Sequence, residues 1–292
     1  MPHAPALARV GLRALVSLVL GLAAFDLDSQ ARADEQLWAF ARGAETLPKG
    51  HAEFYQFATL RTGKKDGDYY AYDFDSELEY GITNEVQASL SIVQHYFDVH
   101  DVEDQRDQNR YRFGGVEASV KGRLLSPFID PVGLALRAEG GYLANDEVGG
   151  IRQQEWFFAP EVDVQKNVLD DTLFLVANGA VEFAWGKQPA EEYPRELSLI
   201  GATGISWRFA PNWFAGVEGR IRSEWPKFDL ENHFEHYALY TGPSLHYGAQ
   251  RWWVTASWLY QAYGRGIDEG NQHQTFAEET EQIARIKVGI NF

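Results

Sequence analysis

The sequence predicts an all-β protein: a closed antiparallel transmembrane β-barrel of about twelve strands in up-and-down meander order, spanning residues 51–292. Three observations lead there. Polarity alternates at period two along most of the chain, the connections between alternating segments are by turns short and long, and the last segment is an apolar-alternating strand that ends on Phe292. Period two places successive side chains on opposite faces of a strand. Short turns at one end and longer loops at the other are the habit of transmembrane barrels, whose strand number is even.

The N-terminus implies export. Arg9 and Arg13 flank or open an apolar run, Ala14 to Phe25, and Ala31-Arg32-Ala33 supplies small residues for cleavage near Ala33, so residues 1–33 read as a signal peptide. That run is too short to cross a bilayer as a helix, and no later stretch reaches 18 apolar residues. Residues 34–50, with Leu37, Trp38 and Phe40, form a segment ahead of the first strand that is either a periplasmic plug or an unstructured lead-in. A formal charge of −16 argues against general nucleic-acid binding. The absence of cysteine excludes disulfides, thiolate chemistry and iron-sulfur clusters. A negative mean hydropathy does not count against a barrel, because half of each strand faces a polar lumen.

His51 to Arg61 is the first strand, and YYAYDFDSELEYGI (69–82) is the second. In the second, Asp73, Asp75, Glu77 and Glu79 occupy one face, while Tyr70, Tyr72, Phe74, Leu78, Tyr80 and Ile82 occupy the other. A helix would scatter those tyrosines among the acids, so the strand fits more positions. After the turn 83–85, Val86 to Ile92 alternate, and an acidic loop, 98–110, follows. Val116 to Val120 and Val132 to Ala138 flank the turn 125–131. Trp156 to Val164 and Leu173 to Trp185 flank 167–171. Leu197 to Phe209 is followed by a turn at 210–212 and a strand from Trp213. Tyr237 to Tyr247 and Trp252 to Tyr263 flank 248–250, and Gln282 to Phe292 is the twelfth strand. The intervening connections, 62–68, 98–110, 144–153, 186–194, 225–235 and 264–280, are longer and polar. Aromatics gather at both ends: Trp156, Trp185, Tyr260 and Tyr263 near the long loops, Tyr80, Trp207, Phe209, Trp213, Trp252 and Phe292 near the short turns. Such girdles mark the two interfaces of a bilayer.

In a barrel the acids of the second strand face inward. The expected lumen then has an acidic wall that includes Asp73, Asp75, Glu77, Glu79, Glu161, Asp163 and Glu182. Its cations include Lys121, Arg137, Arg208, Arg220, Arg222, Arg285 and Lys287, with acids in excess. Such a lumen either conducts, with a preference for cations, or is filled by its own ion pairs. No cofactor or metal motif is evident: there is no HExxH pair, and His233 with His236 reads as a surface pair. Ser244 and His246 share a face, but no orienting Asn or Asp is identifiable, and a triad requires three placed groups.

The final stretch, EQIARIKVGINF, with Ile286, Val288, Ile290 and Phe292 on one face, resembles the C-terminal assembly signal of Gram-negative outer-membrane barrels. That resemblance implies the barrel-assembly machinery as a partner, with lipid and lipopolysaccharide around the wall. The segments GAETLPKG, ELEYGITNEVQASLS, RFAPNWFAGVEG, GPSLHYGAQRWW and IKVGINF resemble a family of functionally uncharacterised proteobacterial outer-membrane proteins. This implies a barrel and an outer-membrane location but no substrate and no catalytic residues. A resemblance to hydrophobic-compound transporters of that membrane implies that residues 34–50 plug the periplasmic mouth. The expected function is passive passage of an unnamed small solute. A lipid-modifying enzyme and a structural barrel with a filled lumen are the alternatives.

Overall fold

A computed structural model describes residues 36–103, 105–169, 172–187, 192–228, 234–266, 274–276 and 279–292, so the expected signal peptide lies outside the described residues. Among them are twelve strands: β1 (Ala52–Thr62), β2 (Asp68–Gly81), β3 (Val86–His100), β4 (Gln108–Leu125), β5 (Gly133–Asn145), β6 (Arg152–Val168), β7 (Leu173–Lys187), β8 (Glu192–Ala210), β9 (Trp213–Pro226), β10 (His236–Gly248), β11 (Trp252–Gly266) and β12 (Gln282–Asn291). Each pairs antiparallel with its sequence neighbours, and β1 pairs with β12, so the sheet is a closed transmembrane β-barrel in meander order. Closure leaves no unpaired edge, which the apolar interior of a bilayer would not tolerate.

The pleat divides the wall as the sequence predicts. In β2 Leu78 and Tyr80 are about half exposed on the outside, whereas Glu77 and Glu79 are buried inside. Around the circumference Leu90, Val120, Leu136, Phe158, Ile205, Val217, Leu245 and Trp258 continue the exposed apolar band. Trp156, Trp185, Tyr260 and Tyr263 are exposed at one end, with Tyr80, Trp207, Phe209, Trp213 and Phe292 at the other. Trp252 departs from this pattern: it is buried and packs on Tyr247 across the β10–β11 turn, where tight chain reversal brings the two rings to 5.2 Å.

The short connections fall at 82–85, 126–132, 169–172, 211–212 and 249–251. In the tightest of them Asn212 takes a positive φ of 68°, a conformation that asparagine tolerates well. Several connections expected to be long are shorter than their polarity suggests. Strands β7 and β8 run on to leave only 188–191 between them, and β8 reaches 19 residues. A bilayer needs about 9–11 residues per strand, so this wall stands proud of the membrane at the long-loop end.

The apolar band itself makes a prediction. Ile92 lies at mid-strand on the outer face, opposite Ser76 and Val116, and is 45% exposed. Ile92→Arg is expected to destabilise the barrel by about 2–4 kcal/mol, the cost of a lipid-facing arginine near the bilayer midplane, as measured by urea unfolding from lipid vesicles.

Candidate functional site

Residues 36–47 lie inside the barrel, and 48–50 are exposed beside the β2–β3 turn. They form neither helix nor strand, and irregular backbone at membrane depth requires partners for its polar groups. The lumen wall supplies them. Glu218 of β9 accepts hydrogen bonds from three consecutive amides, those of Ala39 (2.9 Å), Phe40 (2.8 Å) and Ala41 (3.1 Å). Asn178 of β7 bonds both the N–H and the C=O of Arg42, each at 2.9 Å. Gln165 and Gln87 accept from the amides of Ala44 (2.9 Å) and Leu47 (2.7 Å). Lys287 donates to the Gln36 side-chain carbonyl at 2.5 Å, and Arg285 donates to the Ala39 carbonyl at 3.2 Å.

Apolar contacts anchor the same segment. Trp38 is fully buried with Leu37 and Ala41 among Phe174, Val176, Ala202 and Phe214, while Ala39 and Phe40 pack with Tyr240, Leu259 and Ile283. Gly204 of β8 makes room for Trp38, since a Cβ there would collide with the indole. The chain therefore rises from Gln36 beside Thr255, reaches Phe40, and returns to Lys49 beside Asn84 at the β2–β3 short turn.

Above this segment is a cavity of about 260 Å³ lined by Phe40 and Arg42 and by charged side chains from most of the wall. Asp73, Asp75, Glu77, Glu79, Glu161 and Glu182 line it, as do Lys121, Arg137, Arg220, Arg222, Arg285 and Lys287. Asp163 is buried beside it against Asn178, and Arg208 lies lower down, its guanidinium over the rings of Phe174 and Phe214. Sequence reasoning missed two cations of this cavity. Arg61 grips Asp73 through two hydrogen bonds of 2.7 and 2.8 Å, and Arg42 of the inserted segment reaches Glu161 at 3.4 Å. With both included, cations nearly balance acids in this part of the lumen, so the expected acidic excess is corrected here.

The excess is found further out. A second cavity of about 170 Å³ shares Arg61, Glu117, Glu147, Glu182, Arg220 and Arg222 with the first and continues toward the long loops. It adds Asp146, Glu155, Glu196, Glu224 and Glu279, and its cations are the three shared arginines alone. Charge is thus graded along the axis, from an acidic outer chamber to a mixed inner one. Burial raises the Asp146 carboxyl in the loop after β5, and the Gly149 amide only partly opposes this. For Glu279, in the connection before β12, burial also pushes upward, but the hydrogen bond from His236 and the charges of His236, Arg222 and Arg220 outweigh it and hold the carboxyl well below its usual range.

Much of the charge is paired in place. Arg137 forks onto Glu139 at 2.7 and 2.8 Å and stands 3.6 Å from Glu161. Arg222 contacts Glu182, Glu196 and Glu224. Arg285 and Arg220 make no ion pair among the described residues; both lie over the Phe40 ring, at 4.4 and 5.9 Å. Ser244 and His246 are both buried, and His246 Nδ1 is bonded to Thr255 Oγ1 at 2.7 Å rather than to Ser244. His236 is corrected from a surface residue to a buried one, packed between Glu224 and Glu279, while His233 lies outside the described residues. In β12 Ile286, Ile290 and Phe292 lie on the outward face, and Val288 of the same face is buried.

A twelve-stranded wall that is apolar outside, charged inside and occupied by its own N-terminal segment defines the class: a transmembrane β-barrel of the outer-membrane type. Within it, the chain belongs to the family described as "Family of unknown function (DUF6662)", whose profile matches residues 30–292. No curated protein matches the sequence. Among solved structures the fold is similar to the COG4313 outer membrane channel from Pseudomonas putida F1. That likeness has a TM-score of 0.59 at 9% identity and covers 90% of this chain and 100% of the other. Weaker likenesses are to the NanC porin (TM-score 0.49, 12% identity, 81% and 98% covered) and to LpxR from Salmonella typhimurium (TM-score 0.44, 8% identity, 82% and 99% covered). At these identities the likeness concerns the fold alone.

Proposed function

We propose that this protein is a passive channel of the Gram-negative outer membrane for small solutes, constricted on its inner side by residues 36–47. The observation that carries the reading is the pair of connected charged cavities above Phe40, which a barrel serving only as a scaffold has no reason to keep open. The acidic outer chamber favours entry of cations or zwitterions. In this reading lipid and lipopolysaccharide surround the apolar band, and the β12 face carrying Ile286, Val288, Ile290 and Phe292 is presented to the barrel-assembly machinery.

Deleting residues 35–48 removes the constriction and is expected to raise single-channel conductance several-fold in planar bilayers, with cations preferred. Absence of conductance in the deletion variant, or anion selectivity, would sink the proposal. A second reading, a structural barrel with a filled lumen, is favoured by one specific observation: consecutive amides of the inserted segment are satisfied by wall side chains. Solute flux through the intact protein in liposomes discriminates the two, since the filled barrel with residues 35–48 in place passes nothing while the channel passes small solutes.

A further inference from the structure

We infer that Glu224, His236 and Glu279 form a binding site for a divalent transition-metal cation, of which Zn²⁺ is the best match, at the outer mouth of the lumen. The three residues come from the end of β9, the start of β10 and the connection before β12, and one donor atom from each lies within 4.8 Å of the others. His236 Nε2 is 3.4 Å from Glu279 Oε1 and 3.8 Å from Glu224 Oε2. Donors bound at about 2.1 Å to one ion with tetrahedral angles stand about 3.4 Å apart; the His236–Glu279 pair already has that spacing, the His236–Glu224 pair is slightly wider, and the two carboxylates close from within 4.8 Å by side-chain rotation.

The groups around the donors are arranged as a metal site requires. Arg222 Nε holds Glu224 through Oε1, leaving Oε2 for the ion. Tyr240 Oη donates its proton to the Thr280 carbonyl at 2.6 Å and stands 3.3 Å from Glu279 Oε2, so that Oε1 faces His236. Partners of this kind orient ligands in known metal sites. The imidazole is 4% exposed, and its only hydrogen bond to a described residue is the long one to Glu279, while Nδ1 has none. The Nε2 contacts to the two carboxylates are long, at 3.4 and 3.8 Å, and an ion shared by all three would give each donor a shorter, stronger partner. The surrounding chamber, rich in carboxylates, attracts cations to the spot. One imidazole with two carboxylates suits a first-row divalent metal better than Ca²⁺ or Mg²⁺, and three protein donors leave a position open toward the lumen. Once bound, the ion ties the connection between β11 and β12 to the barrel rim.

The proposal does not depend on conductance and is tested on the purified protein in detergent micelles after chelator treatment. Titration with Co²⁺ is expected to give one equivalent with the intense visible bands of four- or five-coordination, bleached by Zn²⁺. His236→Ala should lose the bands and weaken Zn²⁺ binding at least about 100-fold, while Glu279→Gln should weaken it about 10-fold or more. Absence of the bands in the unaltered protein, or equal binding by His236→Ala, overturns the site. So does binding that is lost on His233→Ala or His273→Ala but kept by His236→Ala. If His236→Ala does not fold, as read by far-ultraviolet circular dichroism, Glu279→Gln decides alone, because Glu279 lies outside the barrel wall; unchanged binding then overturns the proposal.

Discussion

Replacing Glu218 with alanine is expected to free residues 36–47 from the lumen while leaving the barrel closed. This one carboxylate accepts three adjacent amides of the inserted segment and a fourth hydrogen bond from Ser257 Oγ, and it is almost fully buried. Hydrogen bonds to a charged group contribute about 1.5–3 kcal/mol each, and an orphaned buried donor costs about 1–3 kcal/mol. Even with water entering to satisfy part of the loss, about 3 kcal/mol of docking free energy should disappear. That corresponds to a roughly 100-fold shift toward the undocked segment. Faster amide hydrogen exchange at residues 39–41, together with a conductance approaching that of the 35–48 deletion, is the expected result. Glu218→Gln keeps one accepting oxygen but turns the other position into a donor facing N–H groups, so it should fall between the two. Exchange at residues 39–41 unchanged in Glu218→Ala would mean that Trp38 and its apolar pocket hold the segment by themselves.

The wall was legible in the sequence, whereas residues 34–50 could be read only as either a plug or an unstructured lead-in, without their docking partners. Period two in 69–82 assigns Asp73 to Glu79 to one face from local information alone, because pleating is a property of adjacent residues. The same holds for Ile286 to Phe292. The docking of residues 36–50 instead depends on partners far along the chain, Glu218 lying 179 residues from Ala39, and a lone glutamate on a strand gives no local sign that it will accept three amides. Arg61 escaped notice because it ends a strand, where alternation gives least guidance, and Arg42 because it belongs to no strand. His236 was misread for a related reason. Beside His233 it forms a pair at helical spacing, but its actual partners are Glu224 across the β9–β10 loop and Glu279 some forty residues on. Barrel closure brings such groups together, and closure does not show in spacing.

A large loss of stability is expected at Arg137, and its size bears on how wet the lumen is. The guanidinium is 6% exposed, bonds both oxygens of Glu139, and approaches Glu161, which Arg42 also contacts. Arg137→Ala leaves two carboxylates facing each other near Glu117 and Asp75, deep in the wall. Removing one partner of a buried pair typically costs 3–5 kcal/mol, because the remaining charge has lost its compensation without regaining its hydration. Here Arg42 stays beside Glu161 and the 260 Å³ cavity admits some water, so about 3 kcal/mol is expected, at the lower edge of that range. Arg137→Lys keeps the charge but not the two-pronged grip and should lose about half as much. The double substitution Arg137→Ala with Glu139→Gln removes the uncompensated charge and should recover part of the loss, and the extent of recovery reports the dielectric around the pair. A full loss with strong recovery in urea titrations describes a dry, rigid interior, as in the filled-barrel reading. A loss below about 1 kcal/mol, the range of exposed ion pairs, describes water-filled space beside Arg137, the condition that permeation through this lumen requires.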